Sequence, residues 1–274
     1  MKNPSMVAFS FDLSVVPPQY MEGQNDDFSA YSQYAKAILN ALRQMVPAVR
    51  FDFSSFAVQG SAGLTLLSQL LHTAKEMDYY ILLDAPAVHS KKSAELSAVA
   101  LFQNWNFDGL LLNCYIGSDG LKPYIDGIKD NDKDLFVALR TANKSASELQ
   151  DLLTGTRLLY TVAADMAKRF GEDFVSRGGY SRIAGVGPAT SSDILQSLRD
   201  KYPAMFLMID GFDCPGANAK TCSVGFDRLG HGAIACVSDS VLCAWREGNG
   251  SPVELAIQAA DRMKKNLTRY IVIL

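Results

Sequence analysis

The chain has no basic charge to spare. Its 274 residues carry 26 Lys and Arg against 29 Asp and Glu, a formal net charge of −3. A protein that neutralises a phosphate backbone needs the opposite balance, so nucleic acid is excluded as the expected partner. Cysteine is sparse and unpaired in pattern. The five are Cys114, Cys214, Cys222, Cys236 and Cys243, an odd number without a C-x-x-C spacing. That argues against a disulfide framework or a zinc site and for free thiols in a reducing cytoplasm. No run of eighteen apolar residues occurs, so no membrane span is expected. Near the start one lysine, Lys2, precedes a short apolar run cut by Asp12, too short and too early charged for a secretory signal. Linker-like stretches of Pro, Gly or Ser are missing, as are repeats beyond a strand–helix rhythm. No metal or cofactor is expected. One domain over residues 1–274 is the simplest reading.

What is present is a large apolar fraction, 48%, with 20% charged residues, enough for a sizeable core. Short apolar runs alternate with amphipathic stretches. Strands are expected at Met6–Phe11, Ala48–Phe53, Tyr79–Leu83, Asp108–Asn113, Leu135–Leu139, Arg182–Val186, Ala204–Ile209 and Ala233–Val237. Helices are expected at Phe28–Met45, Ala62–Met77, Ser93–Asn106, Leu121–Ile128, Arg157–Phe170, Ser191–Asp200 and Val253–Tyr270. Eight strands with helical patterns between them predict a parallel α/β architecture closed into a (β/α)8 TIM barrel, with its site at the strand C-terminal face. Val15–Asp27, Thr141–Gly155 and Phe212–Leu229 are read as irregular segments on that face.

Several residues stand where chemistry could occur. Asp84, Asp210, Asp213 and Asp239 follow strands and could gather a cation, although loop aspartates also cap helices and make turns. His89 could serve as an acid or base beside Asp84, or be an ordinary polar loop residue. Gly185-Val-Gly-Pro-Ala-Thr190 has the look of a phosphate-cradling turn, but Pro188 removes a backbone donor and a tight strand-to-helix turn explains it as well. Asp213-Cys214 invites a thiol nucleophile, with no histidine near it in sequence; a structural cysteine is the simpler account.

The order of these segments resembles the orotidine 5′-phosphate decarboxylase family, especially its longer bacterial type. Tyr80-Ile-Leu-Leu-Asp-Ala resembles the third strand that leads into that family's Asp-x-Lys-x-x-Asp motif. Phe107-Asp-Gly-Leu-Leu-Leu-Asn-Cys-Tyr-Ile-Gly-Ser-Asp resembles its fourth strand and following turn. Leu139-Arg-Thr-Ala-Asn143, Gly187-Pro-Ala-Thr190 and Ile209-Asp-Gly-Phe-Asp-Cys-Pro-Gly resemble the segments after strands five, six and seven. Val237-Ser-Asp stands where the family has Ser-Ser-Arg.

The resemblance implies a homodimer, or a heterodimer with an active relative, and a carboxylate–lysine–carboxylate network beside a pyrimidine. It also implies departures. Asp84 matches the first aspartate of the motif, but the lysine is replaced by Pro86 and the second aspartate by His89. The threonine that follows matches Ser93. The pyrimidine-contacting serine is Ala142, the phosphate-contacting glutamine is Pro215, and the phosphate arginine is Asp239. Asp12 matches a ribose-contacting aspartate, and Arg50 stands for a lysine after strand two.

A proline has no proton to give. An aspartate in place of an arginine reverses the sign of an interaction worth about 4 kcal/mol at 4 Å in a partly exposed site. The expectation is therefore a decarboxylase-like barrel that has lost decarboxylation and nucleotide-phosphate binding. Two alternatives stand beside it. One is altered chemistry on a non-phosphorylated or cationic ligand through Asp84 and His89. The other is an active decarboxylase of pyrimidine biosynthesis with relocated groups, which would need Arg43, Arg50, Arg140 or a lysine at the phosphate position.

Overall fold

In the computed structural model, which describes residues 3–24 and 26–271 (130 and 131 by backbone alone), eight strands close into a parallel barrel. They are β1 (Ser5–Phe9), β2 (Ala48–Asp52), β3 (Tyr80–Asp84), β4 (Gly109–Asn113), β5 (Asp134–Ala138), β6 (Ser181–Pro188), β7 (Met205–Asp210) and β8 (Ala233–Val237). Neighbours pair in sequence order, and β8 returns to β1 through Ser5↔Ala235 to Val7↔Val237. The helices that follow them in turn are α1 (Asp27–Leu42), α2 (Gly60–Glu76), α3 (Lys91–Asn104), α4 (Ser118–Asn131), α5 (Leu159–Gly171), α6 (Ser192–Lys201), α7 (Ala219–Ser223) and α8 (Pro252–Tyr270). The architecture expected from the strand–helix rhythm is thus the one observed. No helix among the described residues is long and apolar enough to cross a membrane.

Strand side chains alternate between two cores, because successive residues of a strand point to opposite faces. Val7, Val49, Ile81 and Leu83 face the helices and join one buried cluster. Met6, Ala48, Leu82, Phe136, Ala184 and Met208 face the barrel axis and form another. Continuing the inward parity, Arg50 follows Ala48, Asp84 follows Leu82, Asp210 follows Met208 and Cys236 follows Ile234. All four therefore enter the interior near the strand C-termini, and the period of two is the reason they meet.

Several boundaries differ from the sequence expectation, each for a local reason. β1 ends at Phe9 rather than Phe11; the Phe11 ring turns out to pack on Tyr31 (4.9 Å) and Phe28 (5.4 Å). β2 ends where the Asp52 carboxylate accepts from the Ser54 amide and starts a one-turn helix, Phe53–Ala57. α5 begins at Leu159, not Arg157, because Arg157–Leu158 pairs antiparallel with Leu153–Thr154 in a small hairpin. The three segments read as irregular contain short pieces of structure: a single-turn helix at Pro18–Met21, that hairpin, and α7. Asn25, within the first segment, and Lys2 lie outside the described residues.

On the N-terminal side of the barrel a buried guanidinium does the tying. Arg199 of α6 is 6% exposed and donates to four backbone carbonyls, those of Gly225 (2.9 Å), Pro203 (3.0 Å), Met205 (2.9 Å) and Gly232 (2.6 Å). Burial pulls its pKa below the ordinary arginine value, with Tyr180 and Asp227 acting in the opposite sense. Asp227 is bonded in turn to the Tyr180 hydroxyl and to the amides of Leu229 and His231 (2.8 Å each). Burial works against the Asp227 charge, but these donors outweigh it and hold its pKa below the usual carboxylate value.

A carboxylate depressed in the folded state adds stability above its unfolded pKa and loses it as pH falls through the folded one. Replacing Asp227 by Asn is therefore expected to lower the urea midpoint at neutral pH. The gap between wild type and variant should close below about pH 3.8, the ordinary aspartate value. An equal gap at neutral and acid pH would refute the assignment.

Candidate functional site

The barrel mouth is organised around Arg50. Its Nη1 donates to Asp210 Oδ1 at 2.9 Å and lies 3.9 Å from the Cys236 sulfur; its Nη2 donates to Asp84 Oδ2. The two ion pairs span from β2 to β3 on one side and to β7 on the other. The Arg50 side chain is only 16% exposed, and its Nε–H is buried without a hydrogen-bond partner among the described residues. Burial opposes the guanidinium charge, yet Asp210 and Asp84 more than restore it and hold the pKa above the ordinary value. Burial is also the main influence on Asp84 and raises its pKa, against the pull of Arg50. The same desolvation, helped by Asp210, pushes the Cys236 thiol up to about 12. Above this cluster lies a cavity of about 190 Å³, lined in part by Ser10, Arg50, Asp52, Asp210 and Phe212.

The loops around the mouth spend their polar groups on each other. Asp213, in the loop after β7, accepts from the Ser238 amide (2.6 Å), the Ser240 amide (3.1 Å) and the Ser240 hydroxyl. Its carboxylate thus occupies the free N–H groups of the single-turn helix Asp239–Leu242 that follows β8. Asp239 itself is exposed at the first position of that helix. The turn after β6 is closed in the same way, with the Ala189 amide donating to the Asp210 carbonyl at 2.7 Å.

The remaining predicted residues are not drawn to Arg50. Asp12 caps a 3-10 turn, Leu13–Val15, through the Ser14 amide (2.8 Å) and hydroxyl (2.9 Å). Ser93 closes a capping box with Ser90 at the start of α3. Asn143 accepts from the Thr141 hydroxyl (2.6 Å) and donates to Ser145 (2.8 Å). Thr190 is half-buried in the turn before α6. Pro86 and His89 lie in the extended segment between β3 and α3; His89 is exposed, and its side chain has no hydrogen bond or ion pair among the described residues.

The four aspartates do not converge on a metal position: no group of three or more metal-ligating side chains forms among the described residues. Cys214 is half-buried. Sequence reasoning did not pair Arg50 with Asp210 and overlooked Cys236 beside them. The strand parity carried both signals.

A guanidinium does not release a proton at physiological pH, whereas an ammonium can. The cluster can therefore fix charge and orient a ligand but lacks a cationic proton donor. The two other arginines expected as candidates for the phosphate position are engaged elsewhere. Arg43 pairs with Asp78 at 3.3 Å on the N-terminal side of β2, and Arg140 is held by Asp151 at 3.0 Å and the Thr141 carbonyl at 2.6 Å.

No family model matches the chain. Curated relatives do. The orotidine 5′-phosphate decarboxylase of Clostridium acetobutylicum is 28% identical over 265 residues, covering 95% of this chain and 92% of its own. That of Clostridium perfringens is 26% identical, covering 97% and 94%. Among solved structures, a Toxoplasma gondii orotidine-monophosphate decarboxylase candidate superimposes with a TM-score of 0.81 at 19% identity, over 98% of this chain and 93% of that one. Leishmania donovani OMP decarboxylase does so with 0.75 at 21% identity, over 97% and 95%; at these identities the structures speak for the fold. Along nearly its whole length, in fold and in the order of its segments, the chain is similar to the orotidine 5′-phosphate decarboxylases.

Proposed function

We propose that this decarboxylase-like barrel neither decarboxylates orotidine 5′-phosphate nor holds nucleotide phosphates, and acts instead as a binding or regulatory protein. The observation that carries this reading is at the mouth. Pro86 stands where the family resemblance places the proton-donating lysine, and the cation at the centre of the mouth, Arg50, which stands for a different lysine, is clamped between Asp84 and Asp210. Departure of carbon dioxide leaves a carbanion that must be protonated, and a clamped guanidinium is a poor acid for that step.

The phosphate side supports the same conclusion. Remote binding energy from a phosphate is what such an enzyme spends on its reacting centre. Here the Asp213 carboxylate already takes the amides of Ser238 and Ser240, and Asp239 adds a second negative charge beside them. An incoming phosphate dianion would have to displace one carboxylate and face another. The ligand this reading places at the mouth is unphosphorylated and meets Arg50, Asp210, Asp213 and Asp239, with Asp12, Ser93, Asn143 and Thr190 engaged locally in the surrounding loops, in a cytoplasmic protein that pairs with a second copy or with an active relative. Altered catalysis through Asp84 and His89 draws no support from the exposed position of His89.

The test is turnover of orotidine 5′-phosphate by the purified protein, followed by the ultraviolet change as the pyrimidine loses its carboxylate. It is paired with thermal shifts in uridine 5′-phosphate. The expected result is no turnover and no shift. A ligand at 100 times its Kd would add about 2.7 kcal/mol of apparent stability, which no scan would miss. Robust turnover would restore the decarboxylase reading that the relatives' names suggest.

A further inference from the structure

The opposite end of the barrel holds a larger cavity than the one above Arg50. It encloses about 340 Å³ beneath the interior core, within the usual range for small-molecule sites, whereas the mouth cavity falls below it. Barrel interiors are usually filled by bulky branched side chains. Here two of the lowest inward positions are small, Ala48 and Ala184, and the space between them is left to aromatic walls.

Four rings run edge to face around it: Tyr80–Phe136 (6.4 Å), Phe136–Phe206 (6.2 Å) and Phe206–Tyr180 (6.1 Å). Gly109 makes the first pair possible, since a Cβ there would lie 2.5 Å from the Tyr80 hydroxyl and 3.1 Å from the Phe136 ring. Tyr180 is fixed from outside by its bond to Asp227. A tight turn, with the Ser176 amide on the Tyr180 carbonyl at 2.8 Å, closes part of the floor. The walls are therefore set before any ligand arrives.

The rim decides the ligand class. Arg182 pairs with Asp134 at 3.0 Å and with the exposed Asp132 at 2.9 Å, so the rim offers no free positive charge to an anionic ligand. Tyr80 spends its hydroxyl on Asp134 (2.8 Å), and Arg182 spends Nη2 on the Lys133 carbonyl (2.6 Å). What remains on offer is acceptor capacity at Asp134, which as a carboxylate takes more than two hydrogen bonds, and the Ser176 hydroxyl. The aromatic walls favour a flat apolar body, and the polar groups are confined to one side of the rim.

We infer that this floor cavity is a second ligand site, taking a flat, uncharged aromatic molecule that carries an N–H or O–H donor. Ring edges and faces pack on Phe136, Phe206 and Tyr80, and the donor reaches the Asp134 carboxylate. The site is separate from the mouth and owes nothing to Arg50 or Asp213.

The probe is indole, titrated by thermal shift and calorimetry against the full chain. Saturable binding with a rise in Tm is expected for the wild type and for Asp213→Ala. Ala184→Phe fills the cavity and is expected to stay folded by circular dichroism while losing the saturable shift. Ala48→Leu fills it from the facing wall and provides the same reading if the larger substitution unfolds the chain. Absence of saturable binding by the wild type overturns the inference, as does binding that survives in a folded cavity-filling variant.

Discussion

Replacing Arg50 by Met is expected to destabilise the protein by about 3–5 kcal/mol at neutral pH, the range seen when one partner of a buried ion pair is removed. Methionine keeps the unbranched apolar stem of arginine as far as about Nε, so the stem's packing is retained. What is lost is the charge between Asp84 and Asp210. The two carboxylates would then face one another across a part-buried space with nothing to neutralise them.

The pH dependence of that variant has a definite sign. Asp84 already titrates above the ordinary aspartate value because of burial, even with Arg50 beside it. A carboxylate raised in the folded state binds its proton more tightly there than in the unfolded chain, so it costs stability as pH rises through that window. Without Arg50 the window moves higher. The penalty should therefore be largest at neutral pH and shrink as the solution is acidified toward the carboxylate range. Adding Asp84→Asn and Asp210→Asn to Arg50→Met should recover most of the loss, because the repulsion goes with the charges. Urea unfolding at several pH values reads all of this. A penalty below about 1 kcal/mol would mean that the pairs behave like exposed ones, whose usual worth is of that order.

Arg199→Met should cost a similar amount, about 3–5 kcal/mol, for a different reason. Among the described residues no carboxylate forms an ion pair with Arg199. Its partners are the four carbonyls of Pro203, Met205, Gly225 and Gly232. A charge-assisted bond of this kind contributes roughly 1.5–3 kcal/mol, and a buried carbonyl left without a donor costs about 1–3 kcal/mol. Some of these carbonyls keep another partner, as Gly232 does with the Leu207 amide at 2.8 Å, so the sum is well below four full penalties. The loss should not shrink with acidification, since carbonyls do not titrate in that range, and this separates it from the Arg50 effect. Arg199→Lys should recover only part, because one compact ammonium cannot cover carbonyls spread along two connections. Chemical denaturation of the three proteins is the measurement; wild-type stability in Arg199→Met would refute the role.

The barrel was legible because eight short apolar runs and their helical spacers are a global pattern that local errors do not disturb. Its details were less so. Arg157 and Leu158 suit the first turn of α5 as well as a strand, and the local signal for the hairpin is the two-residue Gly155-Thr156 loop, with Gly155 at φ +66°. Phe11 looked like a strand residue by its apolar character and left the strand for tertiary reasons, its ring being wanted by α1. At the site, motif spacing located Asp84 and Asp210, and strand parity could have placed Arg50 and Cys236 beside them. The partner of Asp213 was beyond the sequence, because the bond crosses from one loop to another 25 residues away. The same holds for the floor cavity. Alanines at 48 and 184 are ordinary strand residues until the closed barrel sets them across from four rings.

The Asp213 bridge also bears on motion. Enzymes that seal a substrate away from water need a loop free to swing and return. Here the loop after β7 is stitched to the segment after β8 by three hydrogen bonds that one carboxylate accepts. It is also pressed against the loop after β5, where a Cβ at Gly211 (φ +81°) would come within 2.4 Å of the Ala142 methyl carbon. Loops joined in this way move together or not at all. The rim behaves as a collar rather than a lid, and the Ser238 and Ser240 amides should exchange with solvent deuterium at the pace of the barrel strands, not of surface loops.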